Sequence, residues 1–193
     1  MEIIFATANK HKLMEAQAIV GADIKLITPA QLGLTEDIEE TGTTLKENAL
    51  IKAEYLWYKF HRPCFADDTG LEIQALDGRP GVFSARYAGE GCDFQANIDK
   101  VLLEMGNSEN RLARFRTVIA LIIDGNPVFF EGEVNGTIIM EQKGTKGFGY
   151  DPVFLPEGLT RTMAELSEDE KNSISHRGEA MRKLSAYLKK SNI

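Results

Sequence analysis

Two cysteines in 193 residues are too few for a disulfide framework, and Cys64 and Cys92 stand at no metal-ligand spacing. Only three histidines accompany them, so a His/Cys zinc centre is not expected. Positive charge is also in short supply. Lysine and arginine total 22 against 29 acids, a net charge of −7, which argues against nucleic-acid binding along a basic face. It leaves room for a small anion in a locally basic cleft. No apolar run approaches the ~20 residues of a membrane span, and the opening MEIIFATANK lacks the apolar core of a signal peptide. The expectation is a cytoplasmic chain with no membrane and no nucleic acid among its partners. There is no internal repeat, low-complexity tract or disordered linker. What remains is ordinary globular composition, long enough for one sizeable core or a two-lobed domain over residues 1–193.

The most informative stretch is Pro63–Gly89. Cys64-Phe65-Ala66 is too short for a helix and suits a buried strand. It ends in Asp67-Asp68-Thr69-Gly70, so a strand is expected to deliver carboxylates at its C-terminal end before a glycine turn. Ligands of α/β sheets sit there. Adjacent residues of a strand face opposite sides, so only one of the two acids is expected to enter a cleft. DDTG alone is also ordinary turn chemistry.

Upstream, residues 2–6 read as a first strand. Leu13, Ala16 and Val20 then predict a helix ending at Gly21, capped by Thr7 or Asn9. Free N–H groups at that helix start, beside Lys10 and Lys12, suit an anion, although the glycines of a Walker loop are missing. Residues 24–27 read as a second strand. The acidic run Glu36-Asp37-Ile38-Glu39-Glu40 is either a solvated face or a loop offering metal ligands. Thr44 and Glu47 form a capping box opening a four-turn helix. Asn48 and Lys52 share one of its faces, and spacing alone favours a solvated lysine.

Downstream, Leu71, Ile73 and Ala75 suggest a further strand with one wetter face, followed by a glycine-rich loop over 77–91. Asp93 is a helix cap, and Phe115–Ile123 and Val128–Met140 read as strands joined by Asp124-Gly125-Asn126-Pro127. Lys143–Pro152 is a second glycine-rich segment whose aromatics suit stacking on a base. Ser167 and Glu170 form another capping box. His176 and Arg177 open the last helix, where positive charge is mildly unfavourable, which invites a functional explanation beside the plain one of a solvated pair.

Taken together, TANKHK (7–12), EETG (39–42) with ENALIKA (47–53), ADDTGLE (66–72) running to PGVFSARYAG (80–89), GFGYDPVF (147–154) and SHRGEA (175–180) resemble the inosine triphosphate pyrophosphatase family. Two departures are small: Ala8 stands where the family usually has glycine, and Thr69 where it commonly has serine. The resemblance implies an α/β fold in two lobes, with helices packed on a long mixed β-sheet that floors a deep cleft, and a homodimer. It implies Mg²⁺-dependent hydrolysis of deaminated purine nucleoside triphosphates to the monophosphate and pyrophosphate. Carried over by position, Thr7, Ala8, Asn9, Lys10, His11, Lys12 and Lys52 hold the triphosphate. Glu39 and Asp68 are the metal ligands, and Asp68 is also the proton acceptor. Thr69 touches the substrate, and Phe148, Gly149, Tyr150, Asp151, Lys171, His176 and Arg177 enclose base and sugar. The residue chemistry is compatible, since lysines and a divalent ion offset a dense anion and Mg²⁺ needs only one or two acids besides the substrate. The rivals are a nucleotide-binding module without turnover, an aspartyl phosphatase releasing orthophosphate, and an RNA-binding protein, the last disfavoured by charge.

Overall fold

The computed structural model describes residues 1–190. Its strands are β1 (Glu2–Phe5), β2 (Lys25–Ile27), β3 (Cys64–Ile73), β4 (Pro80–Gly81), β5 (Leu112–Ile122), β6 (Pro127–Ile138) and β7 (Phe154–Pro156). The helices are α1 (Lys10–Val20), α2 (Leu45–Phe60), α3 (Phe94–Met105), α4 (Glu168–Ile174) and α5 (His176–Lys190). Among the described residues the strands form one mixed sheet in the order β2-β1-β3-β5-β6-β7, with β4 beside β3. Strand β1 runs parallel to β2 and β3, while β4 and β7 run antiparallel to β3 and β6. The expected α/β class with a long mixed sheet is what the chain adopts.

The caps set the helix starts as the sequence suggests. Asn9, Thr44, Asp93 and Ser167 each accept backbone N–H bonds at the head of α1, α2, α3 and α4. Removing such a cap costs ~1 kcal/mol. One expectation fails. No turn follows Asp67-Asp68, because β3 continues through Thr69 and Gly70 to Ile73 as a single ten-residue strand. Gly70 is absent from the left-handed backbone positions and is buried in the strand, so here it is not a turn residue.

The chain divides into two compact units. The first comprises Met1–Asp68, Thr117–Gly132 and the chain from Arg177; the second comprises Thr69–Arg116 and Glu133–His176. In the first, Ile3, Phe5 and Phe65 of the sheet pack with Ala16 and Val20 of α1 and with Ala180, Met181 and Leu184 of α5. In the second, Leu71, Ile73, Phe115 and Phe154 pack with Ile98, Val101 and Met105 of α3. Each core buries one stripe of its helices, which is what the 3.6-residue apolar spacing dictates.

Candidate active site

The alternation of an extended strand decides the surroundings of the two acids. Phe65 and Asp67 point to the side of the sheet carrying α1 and α5, whereas Cys64 and Asp68 point to the side carrying α2. Asp67 is 1% exposed. It accepts from Lys12 Nζ at 3.0 Å and from Arg177 Nε at 3.1 Å. Arg177 in turn donates to Glu15 at 2.7 Å, so two acids and two cations meet in one cluster, with Asp67 and Arg177 buried and Lys12 and Glu15 partly so. Burial opposes the Asp67 charge, but Lys12, Arg177 and Lys52 outweigh it and hold the carboxyl well below the usual carboxylate range. Burial lowers the pKa of Lys12, which Asp67 only partly restores.

Asp68 has the opposite balance. Its Oδ2 accepts from Asn48 Nδ2 at 3.1 Å, and its Oδ1 lies 3.8 Å from Lys52 Nζ. Burial pushes its pKa up and the nearby Glu40 charge adds to that, against the pull of Lys52, Lys12 and Asn48. Lys52 is buried rather than solvated and donates to Glu40 and to the Asp67 carbonyl. Burial works against its charge, and Asp68, Glu40 and Asp67 together raise its pKa despite that. The solvated-lysine expectation fails because the face shared with Asn48 is turned onto β3.

Both acids of DDTG are therefore buried, each served by different helices. In the acidic loop, Glu40 reaches Lys52 and is half-buried, while Glu39 is exposed. At the start of α1, the amides of His11 and Lys12 are taken by Asn9 Oδ1 at 2.9 and 3.3 Å, and Thr7 Oγ1 accepts from the Asn9 amide. The helix start thus satisfies its own donors rather than leaving those two free. Ala8, Lys10 and His11 are exposed; Thr7, Asn9 and Lys12 are partly buried.

The second unit gathers the other candidates. Asp151 Oδ2 accepts from the Phe148 amide at 2.9 Å and from Lys171 Nζ at 2.7 Å. Lys171 lies 4.8 Å from the centre of the Phe148 ring. A side chain on Gly147 would place its Cβ 2.1 Å from that Asp151 oxygen, so glycine is what lets the loop fold onto the acid. Tyr150 is buried and donates to the Ser84 carbonyl at 2.8 Å. His176, also buried, stacks on Phe115 at 4.7 Å. Phe148, Gly149 and Thr69 are half-buried. A cavity of about 750 Å³, lined in part by Glu72, Arg114, Asn135, Thr137 and Glu157, is separate from all of these residues.

Three participants receive no role from the sequence, although two of them lie inside its motifs. Asn48 shows only its shared face with Lys52, Glu15 shows only its three-residue spacing from Lys12, and Asp67 looks like the lesser half of an acidic pair. Their partners lie up to 162 positions away in the chain, as with Glu15 and Arg177.

A family model described as Ham1 family matches residues 3–187. The dITP/XTP pyrophosphatase of Christiangramia forsetii is 50% identical over 98% of this chain and 100% of its own length. That of Bacillus subtilis is 50% identical over 97% and 96%. Among solved structures, the Staphylococcus aureus Ham1 protein superimposes with a TM-score of 0.90 at 41% identity, covering 99% of this chain and 100% of that one. A HAM1 protein from Coxiella burnetii gives 0.90 at 42% identity, covering 98% and 99%. A family match over residues 3–187, with relatives half identical along nearly the whole length, leaves one assignment: this chain belongs to the Ham1 family.

Proposed function

We propose that this chain is a hydrolase that cleaves deaminated purine nucleoside triphosphates, dITP, XTP and ITP, to the monophosphate and pyrophosphate. The observation that carries the proposal is the pair of buried acids on β3, flanked by Lys12 and Lys52. Relatives of nearly equal length named dITP/XTP pyrophosphatase support the same substrate class. A homodimer in the cytoplasm completes the proposal. Among the described residues no helix is long and apolar enough to cross a membrane.

Thr7, Ala8, Asn9, Lys10, His11, Lys12 and Lys52 receive the triphosphate in this scheme, with the lysines offsetting its charge. Asp68 accepts the proton of the attacking water, and its raised pKa makes it a stronger acceptor than an ordinary aspartate. A divalent ion, Mg²⁺, belongs with Asp68 and Glu39, while Glu40 neutralises Lys52. The donors suit a hard cation because they are carboxylate oxygens, and the acidity crowding Asp68 is what a cation would relieve. Among the described residues no cluster of three or more His, Cys, Asp or Glu side chains could hold a metal; Mg²⁺ commonly takes one or two carboxylates together with substrate oxygens and water. Held by Asp68 and Glu39, such an ion would supply Lewis acidity, lowering the pKa of a water and offsetting charge on the phosphoryl oxygens. Arg177, expected with the base and sugar, donates to Asp67 and Glu15, and in this scheme it also holds Asp67 at the edge of that end. Thr69, Phe148, Gly149, Tyr150, Asp151, Lys171 and His176 form the base and sugar end.

Hypoxanthine and xanthine carry an oxygen acceptor at position 6, and adenine carries an amine donor there. A donor such as the Lys171 ammonium therefore rejects ATP, by up to ~10⁴–10⁵ for a site built around that bond. A panel of dITP, XTP, ITP, GTP and ATP with product identification tests this. We expect pyrophosphate from the first three, a smaller margin over GTP, which shares the 6-oxygen, and the largest over ATP. Orthophosphate as the sole phosphate product would sink the proposal in favour of phosphatase chemistry.

The two loop glutamates are separable by metal titration. Glu39→Gln is expected to raise the Mg²⁺ concentration for half-maximal activity about tenfold, equivalent to ~1.4 kcal/mol. Glu40→Gln should act through Lys52 and raise KM for the nucleotide. If only the Glu40 variant shifts the metal titration, the two roles are exchanged.

A further inference from the structure

Asn48 lies in the first turns of α2 and is fully buried, yet its carboxamide is used at both ends. Nδ2 donates to Asp68 Oδ2 at 3.1 Å, and Oδ1 accepts from the Gly42 amide at 2.8 Å. These partners admit one orientation of the amide, since the backbone N–H can only donate and the carboxylate accepts. Glycine is needed for the contact. A Cβ at position 42 would lie 2.6 Å from Asn48 Oδ1 and 2.6 Å from Glu47 Cβ. Glu47 pins the next two residues, accepting from the amides of Thr43 at 2.7 Å and Thr44 at 3.1 Å. One turn further along α2, Lys52 joins Glu40 to the same end of β3. The acidic loop and the strand acid are thus tied to one helix face, and Asn48 is the neutral tie between them.

We propose that Asn48 is a positioning residue whose single side-chain amide aims the Asp68 carboxylate and holds the loop bearing Glu39 and Glu40 against it. The inference rests on the assignment of Asp68 as proton acceptor. No other side chain of this size would serve. Aspartate would set a second negative charge against Asp68, and leucine, of similar volume, offers neither donor nor acceptor. A misplacement of about 1 Å in a reacting group can cost ~10²-fold in rate, which is the scale on which such a tie matters.

The test uses Asn48→Leu and Gly42→Ala in the full chain, read by kinetics on dITP and by amide hydrogen exchange at Gly42 in the absence of nucleotide. Asn48→Leu should lower kcat about 100-fold with KM within about threefold, because the substrate's own contacts remain. Exchange at Gly42 should quicken at least about tenfold as its acceptor is lost. Gly42→Ala keeps the Asn48 amide that donates to Asp68 and crowds the loop away from it, so it should raise the Mg²⁺ half-saturation about tenfold while lowering kcat less than the Asn48 variant does. Wild-type kcat in Asn48→Leu, or unchanged exchange at Gly42, overturns the proposal. So does a loss shared equally between kcat and KM in step with a fall in Tm, the mark of general loosening. Should Asn48→Leu not fold, Gly42→Ala decides: a shifted metal titration with faster exchange around position 42 supports the tie, and wild-type values for both refute it. If wild-type protein releases no pyrophosphate from dITP, the functional proposal falls, whereas the Gly42 exchange still shows whether Asn48 holds the loop.

Discussion

Asp68→Asn is expected to lower kcat for dITP by at least ~10²–10⁴, the range for loss of general-base work, while nucleotide binding largely survives. Stability should not suffer. The Asp68 pKa is raised by burial first and then by Glu40, so its charge is disfavoured in the folded protein. The sign follows from linkage. A carboxyl raised on folding favours the native state while protonated and loses that contribution as pH rises through its folded pKa. Ionised Asp68 is therefore a cost at neutral pH, and an isosteric amide removes it. Asn48 and Lys52 keep their remaining partners, Gly42 for the first and Glu40 with the Asp67 carbonyl for the second. We expect a Tm equal to or above that of the wild type. An active Asp68→Asn enzyme would remove this residue from the chemistry.

Asp67→Asn should show the converse, a large loss of stability. The substitution leaves the partly buried Lys12 and the buried Arg177 beside a neutral amide, with Glu15 still paired to Arg177. Breaking a buried ion pair from one side typically costs ~3–5 kcal/mol. For a domain of this size that corresponds to a fall in Tm of roughly 10 °C. The pH dependence is distinctive. Asp67 is held below its ordinary range, so its contribution is complete above the unfolded value of ~3.9 and is lost as pH falls through the lower folded value. The gap between wild type and variant, followed by urea unfolding, should be constant from about pH 5 to 7 and narrow below ~4. A variant that melts with the wild type but has no activity would place Asp67 in the reaction instead. Together the two substitutions separate neighbouring residues of one strand, one by rate and the other by stability.

Local physics was legible in the sequence wherever it acts over a few residues. The caps at Asn9, Thr44, Asp93 and Ser167 begin helices because a side-chain oxygen and the amides it satisfies are two or three residues apart. The apolar spacing of α1 and α3 and the Asp124–Pro127 turn between β5 and β6 are of the same kind. The ordered motifs from Thr7 to Ala180 also sufficed to indicate the family. Tertiary structure alone decided which charges meet. Strand alternation shows that Asp67 and Asp68 part company, but not that α1 and α5 bring Lys12 and Arg177 to the one, or α2 brings Asn48 and Lys52 to the other. A lysine at helical spacing reads as solvated until the face it shares with Asn48 is known to lie on β3. The continuation of β3 through Thr69-Gly70 was hidden for a related reason. Glycine permits a turn, and only the neighbouring strands β4 and β5 make extended backbone the better choice there. Capping and periodicity are energies of nearest neighbours along the chain, whereas the ionisation of a buried acid depends on partners the chain brings from more than a hundred residues away.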